Sequence, residues 1–421
     1  MFTLQATPYS PGRVNGTICH GSDCAGRDAL VVIKQEDLGQ FDGACAGLIV
    51  VNALPLCHTL IRFLSHGIPT ILVEEAQAAR LEAGAELILD GKRGMLLSAD
   101  AQETYPAIPN VVPPSLFTPY RSRDGESVML RSSVSNRFGI TRTLSYGAST
   151  IGALRSEHLG EKSAMPPPKE YFLTELGMCC EEAEPIPLIV RLPDISTEKL
   201  PRWCTSIADK LDAQTSRGMG LYDEEPVRSV VLAIAEAAAR LTEYHDIRLL
   251  FPYVTRPEAF RRWRQTLTQA APAAINMGAM IETPEAALQI KAFIEEADFI
   301  ALGCNDLMAN LAGVERNSPQ SRQALSFYTP ALFRLLQQLA ADAGYRTKEI
   351  QVDGQLVRAP GVIAILLGLG YRIFSTEPMF LPELGRSIMQ IDISEAQQLA
   401  QQACAAANAD AVKKLLNLAT E

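Results

Sequence analysis

The chain has 421 residues, of which 47% are hydrophobic and 20% charged, and its formal net charge at pH 7 is −10. This length allows two or three domains with a large buried core, and the composition is ordinary for a globular protein. No cluster of lysine and arginine offsets the acidic balance, so the sequence argues against nucleic acid or an anionic membrane surface as a partner. No apolar run is long enough to cross a bilayer.

The N-terminus and the cysteines predict a cytoplasmic protein. Residues 1–5 lack the basic start and apolar core of a signal peptide. The nine cysteines have no metal-finger spacing, and the vicinal pair Cys179-Cys180 suits neither an ordinary disulfide nor a zinc ribbon. We therefore predict reduced thiols in the cytoplasm.

Short apolar runs in residues 1–98 predict a small α/β domain with mixed strands. An amphipathic stretch, His58–Leu64, predicts a helix between the second and third runs. The runs lie at Ala29–Ile33, Gly47–Val51, Thr70–Val73, Glu86–Leu89 and Met95–Leu97. Residues 99–120 are polar and then rich in proline, which predicts a linker that lets one unit move against another.

From about residue 121 to 421, strand-like and helix-like segments alternate, which predicts a closed (β/α)₈ barrel. The strand candidates are Val128–Ser132, Ile151–Leu154, Ile186–Leu192, Ile247–Pro252, Ala273–Met280, Phe299–Leu302, Glu349–Val352 and Arg372–Ser375. Helix candidates between them include Pro226–Glu243, Pro257–Ala270, Pro284–Glu296 and Pro330–Ala343. Ile393–Leu418 predicts a C-terminal helix.

Two acids follow neighbouring strand candidates of the predicted barrel, Glu282 after one and Asp306 after the next. Barrel enzymes keep their chemistry at the carboxyl ends of the strands, and two converging carboxylates suit Mg²⁺. Either acid alone could instead cap the helix that follows it. The two together, with Asn305 adjacent and Arg316 ten residues on, favour a metal site.

Arginines also follow predicted strands. Arg155 and Arg191 stand at two strand ends, and Arg316 follows a later helix region. Guanidinium groups bind phosphate and carboxylate in bidentate fashion, so three of them around Mg²⁺ predict a small, highly anionic substrate. The alternative is that each arginine pairs with a neighbouring acid, such as Glu157 or Asp194.

These features together resemble the phosphoenolpyruvate-utilising enzymes: enzyme I of the bacterial sugar phosphotransferase system, pyruvate phosphate dikinase and phosphoenolpyruvate synthase. The likeness runs from about Leu4 to Ala403. Ser10-Pro11-Gly12 is similar to the opening of the family's swivelling phosphohistidine domain, and His58 precedes Pro69 by eleven residues, as the family's phosphorylated histidine precedes a Gly-Ile-Pro turn. By itself His58 could be a core or capping residue; the resemblance makes it the expected phosphoryl acceptor.

In the barrel, Gly152-Ala153-Leu154-Arg155-Ser156-Glu157 is similar to the family's Gly-Leu-Leu-Arg-Thr-Glu, and residues 190–194 are similar to its second arginine motif. The resemblance implies a small swivelling phosphohistidine-type α/β domain followed by a (β/α)₈ barrel that binds phosphoenolpyruvate or pyruvate. By the same likeness Arg155, Arg191, Asn305 and Arg316 bind substrate, and Glu282 and Asp306 bind Mg²⁺.

The sequence departs from the family at several motifs. Asp353 stands where the family has a cysteine that protonates the enolate, and its carboxyl group must hold a proton against its ordinary pKa to do that work. Ala53-Leu54 replaces a glycine pair, Leu56-Cys57 replaces Thr-Ser, and Tyr222 stands where a further arginine is expected.

The resemblance implies a phosphotransferase that moves a phosphoryl group from phosphoenolpyruvate to His58, with Asp353 as the acid. We find neither an ATP-binding domain nor a docking domain for a phosphocarrier, so we expect a separate phosphocarrier or ATP-binding partner. A homodimer is expected by resemblance. The altered motifs leave two alternatives: a regulatory protein that binds phosphoenolpyruvate or pyruvate without turnover, and a pyruvate-enolate lyase or aldolase.

Overall fold

The computed structural model divides the chain into two compact units, Met1–Val112 and Pro113–Glu421. It describes residues 2–24, 26–41, 44–64, 66–101, 119–196, 199–211, 217–316, 318 and 320–419. Most of the predicted linker, 99–120, falls on residues 102–118 and lies outside the described residues. The predicted domain bounds of 1–98 and 121–421 stay predictions.

The first unit is an eight-stranded mixed sheet with strand order β1-β8-β7-β3-β4-β5-β6-β2. The parallel strands β3 to β6 form its centre, and the other strands pair antiparallel with their neighbours. The strands are β1 Thr3–Gln5, β2 Thr7–Ser10, β3 Arg13–His20, β4 Gly26–Lys34, β5 Cys45–Val51, β6 Thr70–Val73, β7 Glu86–Asp90 and β8 Met95–Leu97; the helices are α1 His58–Leu64 and α2 Glu75–Ala78.

The five predicted apolar runs fall on β4 to β8, whereas no run predicts β1, β2 or β3. Residues 48–51 of β5 and all of β6 are buried, as expected of parallel strands covered on both faces. His58 is the first residue of α1. The prediction that all cysteines are reduced is wrong at one pair, since Cys19 and Cys24 form a disulfide across the turn from β3 to β4, with their Cα atoms 6.0 Å apart.

The second unit contains a closed barrel of eight parallel strands, β10 to β17, in which β10 pairs with both β11 and β17. The short strand β9 pairs antiparallel with β10 outside the ring. The strands are β9 Tyr120–Arg121, β10 Ser127–Val134, β11 Ile151–Arg155, β12 Leu188–Arg191, β13 Ile247–Val254, β14 Asn276–Ile281, β15 Ile300–Gly303, β16 Gln351–Asp353 and β17 Ile373–Thr376.

Helices follow most barrel strands. The α-helices are α3 Arg137–Ser145, α4 Lys169–Ala183, α5 Val227–Leu241, α6 Pro257–Ala270, α7 Pro284–Leu288, α8 Ile290–Glu296, α9 Cys304–Ala312, α10 Ser321–Ala324, α11 Pro330–Ala343, α12 Val362–Gly368, α13 Leu381–Gln390, α14 Ile393–Ala405 and α15 Ala409–Leu415. Short 3₁₀ turns occupy Gln35–Asp37, Ala99–Ala101, Ser156–His158, Arg202–Lys210, Gly218–Leu221, Gly344–Glu349, Gln355–Arg358 and Pro378–Phe380. Among the described residues, every helix is too short or too polar to cross a membrane.

Apolar side chains pack together across five neighbouring strands of the barrel. One buried cluster joins Ala153, Ile189, Leu250, Met280 and Ala301, each from a different strand. Barrel enzymes keep their chemistry at the carboxyl ends of the strands, so that end of the barrel is the place to look for a ligand site.

The predicted α/β fold with a (β/α)₈ barrel is confirmed, with two differences in the helices. The predicted helix 284–296 is broken at Gln289 into α7 and α8. The predicted C-terminal helix is two helices, because the Asn408 side chain accepts a hydrogen bond from the Ala411 N–H and starts α15 anew.

Candidate active site at the mouth of the barrel

The carboxyl ends of the barrel strands carry most of the residues that the sequence predicts for the site. Because all eight strands run parallel, their carboxyl ends lie at one end of the barrel. Arg155 ends β11 beside Arg191, which ends β12 in register with it. Glu282 follows β14, Asn305 and Asp306 open α9 after β15, Asp353 ends β16, and Arg316 lies beyond α9.

Asp306 is held between two arginines. Its Oδ2 accepts a hydrogen bond from Nη1 of Arg316 at 2.9 Å, and Nη2 of Arg217 lies 2.9 Å from its Oδ1. Burial opposes ionisation of Asp306, but the charges of Arg217 and Arg316 outweigh it and keep the pKa below its ordinary value. The carboxylate is therefore ionised at neutral pH.

Glu282 has the opposite electrostatic state. Its Oε2 accepts the backbone N–H of Tyr253 at 2.7 Å, and the residue is 1% exposed. Burial, and then repulsion from Asp306 and Asp194, raise its pKa to about 8. Tyr253 has a φ of 49°, a conformation uncommon for an aromatic residue, and such strain tends to occur at functional sites.

A glycine leaves room for the Glu282 carboxylate. A Cβ at Gly303, the last residue of β15, would stand 2.4 Å from Glu282 Oε1 and 2.5 Å from its Cγ. Gly303→Ala is therefore expected to displace this carboxylate and weaken Mn²⁺ binding about tenfold, as measured by calorimetry. Gly177→Ala is the control, because among the described residues the nearest atom to a Cβ there is Leu241 Cδ2, in ordinary contact at 3.7 Å. Unchanged Mn²⁺ affinity in the Gly303 variant would remove Glu282 from the metal site.

A second charged cluster surrounds Arg191. Its Nη2 donates to Glu157 and lies 3.4 Å from Asp194 Oδ2, and Lys199 contacts Asp194 as well. These contacts match the alternative predicted from the sequence, in which an arginine pairs with Glu157 or Asp194. Arg155 likewise has an acid beside it, since its Nη2 lies 3.6 Å from Glu377 Oε1.

The acids of this cluster are ionised despite burial. Burial opposes the charge on Asp194, but Lys199 and Arg191 outweigh it and hold the Asp194 pKa well below its ordinary value. Burial lowers the pKa of Lys199, and Asp194 counters part of that effect. The guanidinium of Arg191 keeps its charge, so the cluster presents fixed charges at the end of β12.

The two charged clusters have unused hydrogen-bonding capacity. Buried polar atoms in proteins usually find a partner, and a group of atoms without one indicates a place for a ligand, water or ion. Across the described residues, the atoms at the mouth in this state include Glu157 Oε2, Arg191 Nε, Asp194 Oδ1, Arg217 Nε, Arg217 Nη2 and Asp306 Oδ1.

These residues fit a divalent cation that takes only part of its coordination shell from the protein. Within the described parts of the chain, no group of three or more histidine, cysteine, aspartate or glutamate side chains forms a metal cage. Mg²⁺ needs no such cage, because it commonly binds one or two carboxylates and completes its shell with water and substrate oxygens. Glu282 and Asp306 offer two such carboxylates, and no described residue donates a hydrogen bond to Asp306 Oδ1.

Asp353 lies in a hydrogen-bonded serine pocket on the same face. Ser133 Oγ lies 3.1 and 3.0 Å from its two oxygens and 2.9 Å from Ser375 Oγ. Burial raises the Asp353 pKa; the charge of Arg155 opposes that shift and the charge of Glu377 adds to it. The direction of the shift is the one that a proton-donating carboxylic acid requires.

Asn305 is fixed by the turn that follows Asp353. Its Oδ1 accepts the Gln355 N–H at 2.9 Å, and a Cβ at Gly354, where φ is 114°, would stand 2.8 Å from that oxygen. The glycine therefore permits a close approach that joins the ends of β15 and β16.

Three residues at the mouth were missed by the sequence reasoning: Lys199, Arg217 and Glu377. Tyr222, which stands where a family arginine is expected, is fully buried. Its ring centroid lies 5.4 Å from that of Trp263, and its hydroxyl donates a hydrogen bond to Pro193 O. Arg217, five residues earlier, brings a guanidinium group to Asp306.

The fold and the site define a (β/α)₈ barrel protein with acids and arginines gathered at the strand ends. Residues 117–393 match the family model of the PEP-binding domain of PEP-utilising enzymes, where PEP is phosphoenolpyruvate. The chain belongs to this family.

Curated relatives agree with that assignment. A multiphosphoryl transfer protein of Xanthomonas campestris pv. campestris is 26% identical over 405 residues, which are 91% of this chain and 47% of the relative. Multiphosphoryl transfer protein 1 of Escherichia coli is 24% identical over 89% of this chain and 47% of its own length. A phosphoenolpyruvate-protein phosphotransferase of Streptomyces coelicolor is 24% identical over 91% of this chain and 71% of its own. The chain thus spans about half the length of the first two relatives.

Proposed function

We propose that this protein is a PEP-dependent phosphotransferase that binds PEP or pyruvate with Mg²⁺ at the mouth of the barrel, and that His58 accepts the phosphoryl group. The observation that carries the proposal is Asp306 between Arg217 and Arg316, with the buried Glu282 near enough for the charges of Asp306, Arg191 and Arg217 to act on its pKa. Membership of the PEP-utilising family supports the substrate.

The charges at the site suit this substrate. PEP has a phosphate and a carboxylate, and the proposed ligands Arg155, Arg191 and Arg316 bind such groups through paired N–H donors, with Asn305 as a further contact. Mg²⁺ held by Glu282 and Asp306 supplies charge neutralisation for the phosphate and for the enolate. Phosphoryl transfer has a loose transition state, so positioning and charge neutralisation provide most of the catalysis.

The proposed reaction has two steps. The neutral imidazole of His58 attacks phosphorus, so that the P–N bond forms as the bond from phosphorus to the enol oxygen breaks and enolpyruvate leaves as the enolate. Asp353 then donates its proton to the methylene carbon and gives pyruvate. The raised pKa of Asp353 supports this second role, because the acid must be protonated when the enolate forms.

The rest of the proposal follows the family resemblance. Residues 1–98 form a swivelling phosphohistidine domain, joined by a linker over residues 99–120 to the barrel of residues 121–421. A separate phosphocarrier or ATP-binding protein accepts or supplies the phosphoryl group, and the chain forms a homodimer in the cytoplasm.

One observation favours a second candidate function, a regulatory protein that binds PEP or pyruvate without turnover. The guanidinium groups of Arg155 and Arg191 already have protein carboxylates beside them, so part of their charge is neutralised before an anion binds. Such a site can bind an anion without completing its turnover.

Phosphoryl labelling separates the two functions. The protein is incubated with Mg²⁺ and PEP that carries ³²P, and acid-labile, base-stable label is counted in the wild type, in His58→Ala and in the control His245→Ala. We expect label in the wild type and the control and none in His58→Ala. Saturable PEP binding without label would favour the regulatory function, and absence of PEP binding in calorimetry would defeat both.

A further inference from the structure

We propose that Arg217 is an exchangeable counter-ion of Asp306: it neutralises Asp306 in the ligand-free protein and turns to the bound anion when a divalent cation takes its place. The inference rests on the proposed function, since it assumes that the cation and PEP share this mouth. It adds Arg217 to the groups that bind the anion and couples the two binding events.

The contact between Arg217 and Asp306 is a charge contact without a directed bond. Nη2 and Oδ1 are 2.9 Å apart, yet neither atom takes part in a hydrogen bond among the described residues. Arg316 differs, because its Nη1 donates properly to the other oxygen, Oδ2. Asp306 therefore has one oxygen fixed by a hydrogen bond and one that is held only by charge, and the second can be released at less cost.

The Arg217 guanidinium lies over the ring of Tyr253, which allows it to rotate. It stands 4.3 Å from the centroid of the Tyr253 ring, and its Nη2 is also 4.0 Å from Asp194 Oδ2. A planar guanidinium can rotate over an aromatic ring and keep the cation–π contact. Its Nε and Nη2 have no hydrogen-bond partner in the described structure, so both donors are available to an anion.

Tyr253 is also hydrogen-bonded to Glu282, the other proposed metal ligand. The Tyr253 N–H donates to Glu282 Oε2, its hydroxyl lies 3.0 Å from Asn310 Oδ1, and the Asn310 side chain donates to Glu282 O at 2.9 Å. Tyr253 and Asn310 are thus positioning residues that hold the Glu282 carboxylate and the Arg217 guanidinium in one frame. A shift of the Glu282 carboxylate would therefore move Tyr253 and, with it, the contact that Tyr253 makes with Arg217.

The exchange follows from electrostatics. A cation bound to Asp306 Oδ1 needs the place that Nη2 occupies, and two cations cannot share that distance without strong repulsion. The displaced guanidinium remains in a mouth with little water and requires a new anion. Metal and anion binding must therefore support each other, and the coupling is reciprocal.

The test uses Arg217→Gln, with Mn²⁺ as the metal probe and PEP as the anion probe, both measured by calorimetry. Without PEP, the variant is expected to bind Mn²⁺ about tenfold more tightly, because a competing charge is gone; at saturating Mn²⁺ it is expected to bind PEP about tenfold more weakly, because a donor is gone. The control is Arg262→Gln, an exposed arginine paired with Asp223, which should change neither affinity.

Opposite signs support the inference, since a residue with a purely structural role would weaken both affinities together. Weakening of both, or no change in either, overturns it. If circular dichroism shows that Arg217→Gln is unfolded, Arg217→Lys replaces it: the charge remains, so Mn²⁺ affinity should stay unchanged while PEP affinity falls, and equal losses would refute the exchange. A wild type that binds neither probe defeats the proposed function itself, whereas a wild type that binds both leaves this inference to stand or fall alone.

Discussion

Glu282→Gln is expected to lower Mn²⁺ affinity at least about 100-fold and to remove PEP-dependent labelling, because it takes away one of the two proposed acidic ligands, whose proton is released when a cation binds. Among the described residues, no group of three or more acidic, histidine or cysteine side chains is present to replace it. Calorimetric titration with Mn²⁺ measures the first effect and ³²P transfer the second. The same substitution at Glu285, an exposed residue three positions on, should leave both unchanged.

The pH dependence of the free energy of unfolding tests the account of Glu282 independently of metal binding. The folded-state pKa of Glu282, raised to about 8, lies above its value of about 4.3 in an unfolded chain. The proton on Glu282 therefore stabilises the fold at low pH, and this contribution is lost as the pH rises from about 4.3 through 8. The free energy of unfolding of metal-free wild type should fall relative to Glu282→Gln over that range. A variant that is less stable than wild type at pH 9 would contradict this account.

The sequence predicts the barrel because its strands are apolar and separated by periodic helices. α6 and α11 have the predicted bounds, and the proline at the first residue of each explains why their starts were predictable. β12 is shorter than predicted because Pro185 and Pro187 cannot donate ladder hydrogen bonds. In the first unit, β1 and β2 are too short to show the two-residue alternation of apolar and polar residues that marks a strand. β3 has few buried residues, so its sequence does not show that alternation either.

The positions of the candidate residues Arg155 and Glu282 were predictable because they stand at strand ends, whereas Asp353 was found through the family resemblance. Glu377 directly follows β17 and could have been found by the same rule, had the predicted strand been extended by one residue. Arg217 could not, because it lies in a long connection without periodicity between β12 and α5. Only the tertiary fold brings it to Asp306, and the sequence offers only the missing arginine at Tyr222 as a signal.

Asp353→Asn is expected to lower pyruvate formation from PEP about 100-fold while PEP binding is retained, because an amide cannot donate a proton to the enolate. The wild-type rate should fall as the pH rises through the raised pKa of Asp353, since only the protonated acid is active. Stopped-flow measurement of pyruvate across pH 5–9, roughly the range over which raised carboxyl pKa values titrate, tests both statements.

Ser133→Ala tests whether Asp353 is the acid that protonates the enolate. The Ser133 hydroxyl favours the ionised form of Asp353, so its removal should raise the pKa further and carry the falling limb of the pH profile to higher pH. Asp353→Cys introduces the acid that the family resemblance expects and should raise the rate above wild type at neutral pH. If Asp353→Asn forms pyruvate at the wild-type rate, the proton comes from another group or from water. If instead the Ser133 variant leaves the profile in place, Asp353 is not the group whose titration limits the reaction.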